Sequence, residues 1–143
     1  MTIKSKVLQK ESPEAPFKVV EIERRDPRED DVVIDIKAAG ICHSDIHNAY
    51  NDWGGAKYPM VPGHEIIGRV MHVGKSVTKF NVGDLAGVGC MVDSCQHCSA
   101  CEQGLEQYCE EGNTLTYNDI DRHDGLPTFG GYSDKIVVTE KFV

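Results

Sequence analysis

A mostly β protein with few, short helices is what the 143-residue sequence predicts, and three features carry that prediction. Apolar and polar side chains alternate in segment after segment, the period of a half-buried strand. Turn-forming residues, chiefly glycine, asparagine, aspartate and proline, punctuate these segments. Helical signal is confined to two short stretches. A barrel or sandwich of short strands fits that pattern, and the length suits a single domain closing one core.

In chain order, residues 17–24 (FKVVEIER) and 32–38 (VVIDIKA) alternate as strands do, with the charged turn RDPREDD at 25–31 between them. Residues 65–73 (EIIGRVMHV) form the next strand; Gly68 inside it marks a bulge or a close backbone approach, and Gly74 ends it. Asn81-Val82-Gly83-Asp84 is a tight turn into the apolar run at 85–88. The last strand, 132–139, is entered through Gly130-Gly131. One helix is expected at 44–50, with Ser44 as its cap and Asp45 in its first turn. A second is expected between Cys101 and Cys109. The polar stretch 112–127 reads as an exposed loop. The chain stops at Val143 in strand-like sequence, so a longer parent protein is expected.

With 40% hydrophobic and 27% charged residues the chain has the balance of a folded globular protein. Its formal charge of −8 repels phosphate backbones and anionic bilayers, so neither nucleic acid nor membrane is an expected partner. The N-terminus carries no secretory apolar region, and no run is long enough to span a bilayer. A cytoplasmic location follows as the expectation. In a reducing compartment, six cysteines point to metal rather than to disulfides.

The strongest local signal is Cys95-Gln96-His97-Cys98-Ser99-Ala100-Cys101, with Cys109 eight positions on. Two residues between cysteines let both sulfurs approach one ion at about 2.3 Å, and four make a closed tetrahedral zinc site. Closed sites leave substrate no position, so the role is structural, the metal standing in for a core within a lobe at about 90–112. Disulfides fit the compartment poorly. A thiol redox motif would sit at a helix start and needs no third evenly spaced cysteine. His97 reads as a solvated neighbour and Cys90 as a buried thiol without chemistry.

A second, dispersed constellation joins Cys42-His43-Ser44-Asp45-Ile46-His47 to Pro62-Gly63-His64-Glu65. Each fragment alone is weak. Taken together, AGICHSDIH, YPMVPGHEIIGRV, VGDLAGVG and the four-cysteine motif, in that order, resemble the N-terminal GroES-like catalytic domain of zinc-containing medium-chain alcohol dehydrogenases. WGGAKYPMVPGHEIIGRV, VDSCQHC and FGGYSDKIVV are most similar to the cinnamyl-alcohol-dehydrogenase-like aldehyde reductases. The likeness runs from about Val19 to Val143.

This resemblance implies a GroES-like β-barrel with a zinc lobe. It implies Cys42 and His64 as catalytic-zinc ligands and Glu65 as a carboxylate that takes up the metal during exchange. Asp45 would orient the ligand shell. Ser44 and His47, three apart and so on one helical face, would pass the alcohol's proton to solvent. His43 would lie near the cofactor pyrophosphate, and Trp53 in the substrate pocket. Elementary chemistry agrees: zinc with an open position is a Lewis acid for a carbonyl or alcohol, and a hydroxyl followed by an imidazole is a workable proton path. His72 and His123 match nothing and read as surface residues.

Two parts of the family's machinery have no counterpart in these residues: a third cysteine ligand for the catalytic zinc, and the GxGxxG of a dinucleotide fold. The expectation is therefore one catalytic domain at 1–143, its Rossmann cofactor domain absent and the fragment inactive alone. The parent would be an NADP(H)-dependent alcohol dehydrogenase or aldehyde reductase acting on small molecules, with one structural and one catalytic zinc, compatible with a homodimer. Two alternatives compete. A non-enzymatic zinc interaction module would want basic or aromatic residues round the knuckle, where Glu102, Glu106, Glu110 and Glu111 stand. A co-chaperonin has no use for Cys42 and His64.

Overall fold

The computed structural model describes residues 3–143. Eight strands, β1 (Ile3–Gln9), β2 (Lys18–Arg24), β3 (Asp31–Ala39), β4 (Ile66–Val73), β5 (Leu85–Val88), β6 (Met91–Asp93), β7 (Thr114–Leu115) and β8 (Lys135–Thr139), outweigh two short helices, α1 (His43–Ala49) and α2 (Ser99–Glu102). The mostly β reading holds. The ladders form a four-stranded sheet, ordered β5-β4-β3-β8, and two two-stranded sheets, β1-β2 and β6-β7, so the paired strands do not close into one continuous barrel.

β3 is the central strand, antiparallel to β4 on one side and β8 on the other. Val32, Val33 and Ile34 are fully buried in succession, because both faces of β3 are covered. Val32 and Ile34 join Ile66, Val70, Ala86, Val88, Ile136 and Val138 in the main core. Val33 packs the opposite way, against Ile3 and Val137. β1, which the sequence reading missed, supplies that second layer. It is tied down where Leu8 donates to the Tyr132 carbonyl (2.7 Å) and Asp134 to that of Lys6 (2.9 Å).

Gly68 is the predicted close approach: a Cβ there would lie 2.4 Å from the Asp35 carbonyl, beside a register shift between Ile36 and Ala38. Three local expectations are corrected. Cys42, not Ser44, caps α1, because Asp45 reaches back to the Cys42 N–H (2.9 Å) and the cap falls two residues earlier. The single helix between Cys101 and Cys109 is instead α2 and a separate 3-10 turn at Glu106–Tyr108, broken at Gly104 with φ +72°. The strand entered at Gly130 begins at Lys135, since the amides of 130–132 are taken by the 61–63 turn and Tyr132 and Asp134 bond to β1 and β3 outside the regular ladder.

A buried charge network fixes the start of β3. Asp31 is fully buried and accepts from Arg25 Nη2 (3.0 Å) and from the Arg28 backbone N–H (2.6 Å). Arg28 also faces Asp93 at 3.7 Å and Arg25 faces Asp121 at 3.5 Å, linking the sheet to the cysteine lobe. Burial alone would push the Asp31 carboxyl up, but the hydrogen bonds from Arg25 and Arg28 outweigh it and hold the group below its usual 3.8. With the folded value lowered, the unfolded chain takes the proton first. The stabilisation is complete above about pH 4 and is lost as pH falls through the folded value. Asp31→Asn is expected to cost about 2 kcal/mol at pH 7 and to flatten the loss of stability below pH 4, as read from urea midpoints across pH.

Candidate metal centre

The lobe brings Cys95, Cys98, Cys101 and Cys109 together, their sulfurs all within 4.8 Å of one another. The surrounding backbone is arranged for thiolates. The N–H of Cys98 points at Cys95 Sγ (3.3 Å), that of Cys95 at Cys109 Sγ (3.4 Å) and that of Glu110 at Cys98 Sγ (3.4 Å). Ser94 Oγ lies 3.3 Å from Cys101 Sγ. The Glu110 N–H bond lowers the Cys98 thiol to about 6, whereas desolvation lifts Cys95 to about 11. Four convergent soft donors, three of them served by amide protons, fit a closed tetrahedral Zn²⁺ site. The lobe's buried cluster consists of Cys98, Cys101 and Cys109, so little else could hold it shut. His97 is exposed yet paired, through Nδ1 to the Cys95 carbonyl and through Nε2 to Glu111, both at 2.7 Å.

The dispersed constellation also converges. One ligand atom each from Cys42, His64 and Glu65 lies within 4.8 Å of the others. Cys42 follows the end of β3, and His64-Glu65 precede β4, so the β3–β4 pairing delivers both segments to one end of the sheet. Gly40 donates to the Glu65 carbonyl (2.8 Å), and a Cβ on Gly40 would meet the Glu65 carboxylate at 2.3 Å. The Cys42 thiol is lowered, first by the Ser44 hydroxyl at 3.5 Å and then by His64. Thiolate, imidazole and carboxylate on an accessible surface fit a metal with a position to spare.

Asp45 is 2% exposed and receives the N–H groups of Cys42 (2.9 Å) and Gly63 (3.0 Å). It therefore braces the backbones that carry the two ligands. On α1, His47 stacks on His43 with centroids 5.9 Å apart and leans on Trp53 at 4.8 Å. Its Nδ1 lies 2.9 Å from Asp52 Oδ2, a partner the sequence did not announce. A cavity of about 210 Å³ opens beside His64 and Ser44, lined also by Asn48, Trp53, Cys90, Leu115 and Tyr117.

Two sequence expectations fail here. Cys90 is exposed and lines this cavity, because β5 ends at Val88 before the chain turns outward. The stretch 112–127 is not wholly an exposed loop: Thr114, Thr116 and Tyr117 are buried, and the Tyr117 ring sits 5.5 Å from that of His64. His123 is exposed, as expected, and meets Asp93 Oδ2 at 2.8 Å.

The fold and the paired cysteine–histidine loops define a class. The chain belongs to the alcohol dehydrogenase GroES-like domain family, which matches residues 28–143. It is 56% identical over 139 residues to a probable formaldehyde dehydrogenase from Bacillus subtilis, covering 97% of this chain and 40% of that one. It is 57% identical over 128 residues to an NADP-dependent alcohol dehydrogenase C from Mycobacterium bovis, covering 90% of this chain and 37% of the relative. Among solved structures, a CAD from Helicobacter pylori complexed with NADP(H) superposes with TM-score 0.95 at 47% identity, over 99% of this chain and 41% of that one. The chain thus spans about two-fifths of the length of these relatives.

Gly63 has φ +103°, and a Cβ on it would lie 2.7 Å from Tyr132 Cδ1 and 2.8 Å from the Tyr132 nitrogen. Gly63→Ala is therefore expected to destabilise the fold by about 1–3 kcal/mol, seen as a lower denaturant midpoint, and to displace His64 in a crystal structure of the variant.

Proposed function

We propose that this chain is the metal-holding and proton-handling part of a zinc-dependent alcohol dehydrogenase or aldehyde reductase that works with NADP(H). The observation that carries the reading is the convergence of Cys42, His64 and Glu65 beside Ser44 at the mouth of a cavity. The names of the relatives, an NADP-dependent alcohol dehydrogenase and a CAD complexed with NADP(H), support the cofactor. A cytoplasmic location remains part of the proposal; no described helix is long and apolar enough to cross a membrane.

Cys95, Cys98, Cys101 and Cys109 would hold the structural zinc, and Cys42 and His64 the catalytic one, with Glu65 completing the shell when a ligand leaves. Zinc at the second site supplies a Lewis acid that polarises a carbonyl or acidifies an alcohol. Ser44 takes the alcohol's proton at its hydroxyl, adjacent to Cys42. His47, one turn further along α1, receives it at the imidazole, and the carboxylate of Asp52 steadies the charge that forms. Trp53 covers His47 and walls the cavity, limiting water there. His43, exposed beside His47, is placed for a cofactor phosphate. The hydride donor needs a dinucleotide fold that these 143 residues do not encode.

The two sites should separate by affinity, since four thiolates in a closed cage hold zinc harder than one thiolate, one imidazole and a carboxylate. Mild chelation of the zinc-loaded chain should strip the Cys42 site first, followed by elemental analysis. Loss of both metals together would point to a further ligand or a different arrangement. The chain alone should show no alcohol or aldehyde turnover with NADP(H) or NAD(H). In a full-length protein containing it, His47→Ala should slow alcohol oxidation most at low pH, with partial rescue by imidazole buffer. An equal loss at every pH, without rescue, would reduce His47 to packing.

A further inference from the structure

The Asp45 carboxylate has a third donor. Besides the amides of Cys42 and Gly63 it accepts the Tyr132 hydroxyl, which lies 2.9 Å from Oδ2. Tyr132 comes from the Gly130-Gly131-Tyr132 segment, which lies against the turn that carries His64. Three consecutive amides of that segment donate to it: Gly130 to the Val61 carbonyl (2.7 Å), Gly131 to that of Gly63 (2.8 Å) and Tyr132 to that of Pro62 (2.9 Å). The contact admits no added atoms. A Cβ on Gly130 would lie 2.4 Å from the Gly63 carbonyl oxygen, and one on Gly131 2.3 Å from Ile66 Cγ1.

The Tyr132 side chain thus has two jobs. Its ring presses on Gly63, and its hydroxyl reaches over the same turn to Asp45. The phenol is held well above its ordinary value, first by burial and then by the Asp45 carboxylate it bonds, so it stays a donor at every physiological pH. The Gly63 amide holds Oδ1, and the Cys42 amide shares Oδ2 with the Tyr132 hydroxyl. A third donor from a third segment fixes its plane, and through it the separation of the Cys42 and Gly63 backbones. Resting on the zinc reading above, we infer that Tyr132 is a positioning residue for the Cys42–His64 metal site, acting through Asp45 and not by touching substrate or metal.

The test is Tyr132→Phe, which keeps the ring on Gly63 and all three amide bonds and removes one hydroxyl. The chain is first filled with Zn²⁺ at the four-cysteine site, and the second site is then loaded with Co²⁺. The unaltered chain should show a sulfur-to-cobalt charge-transfer band that vanishes in Cys42→Ser. In Tyr132→Phe that band should shift, and Co²⁺ should leave to a chelator about 10–100-fold faster, while the thermal midpoint moves little and the lobe zinc is retained. If the hydroxyl acts through Asp45, combining Tyr132→Phe with Asp45→Asn should add nothing to the Asp45→Asn effect. An unchanged band and release rate in Tyr132→Phe, or fully additive effects in the double variant, would overturn the inference and leave the zinc reading standing. Absence of any Cys42-dependent band in the unaltered chain would overturn both.

Discussion

Everything at the second cysteine site depends on the register of two strands. Ala39 of β3 pairs with Ile66 of β4, so Cys42, three residues beyond the first, and His64, two before the second, must leave the sheet at the same end. Strand side chains alternate with a period of two, and a slip of one residue would carry the core set of β4 to solvent. The core therefore pins the site. Ile66 and Val70 are buried against Ile34 and Val138, and no shifted pairing can satisfy that cluster. The irregularity between Ile36 and Ala38 absorbs the extra residue without disturbing the pair that matters. A site built from loops gains the precision of a sheet because Cys42 and His64 each stand only a few residues from a strand end.

The lobe follows the opposite logic. β6 and β7 pair over only a few residues; Val92 of β6 leans on the main core, whereas the lobe's own buried cluster consists of cysteines. Such a hairpin cannot stand on apolar burial, and the acidic side chains of Glu102, Glu106, Glu110 and Glu111 repel one another around it. A divalent ion among the sulfurs answers both problems, replacing the missing core and offsetting part of the charge. The contacts of Asp93 with Arg28, and through His123 with the 121–128 loop, anchor that unit to the sheet.

How much of this was legible in the sequence follows from the range of each interaction. Cys95 to Cys109 could be read because their geometry is local: spacing alone brings the sulfurs round one point. Cys42 and His64 lie apart in the chain and were legible only through resemblance, the strands 18–24 and 31–39 through alternation, and 85–88 as an apolar run after a turn. Tyr117, Tyr132 and Asp52 were not, since each acts by a tertiary contact that leaves no periodic trace. Cys90 misled because its apolar flank, LAGVG, implies burial, whereas the strand stops two residues short of it. Ser44 misled because a serine before a helical run usually caps it; here Asp45 satisfies the Cys42 amide from within the helix and takes that role away.

Asp45 also explains why a charged group is buried where an apolar one would pack as well. An aliphatic side chain there would leave the amides of Cys42 and Gly63 and the Tyr132 hydroxyl without partners, each costing about 1–3 kcal/mol. The carboxylate satisfies all three and stands next to the loops that carry Cys42 and His64. With the proposed metal at that site, the carboxylate would favour the filled over the empty pocket and raise the donor strength of the shell it braces. Its burial is tolerable because both of its oxygens meet donors, Oδ1 one and Oδ2 two. Removing any one donor thus weakens the site without exposing the core, so the polar node tunes the metal loops while the hydrophobic strands below it keep the fold.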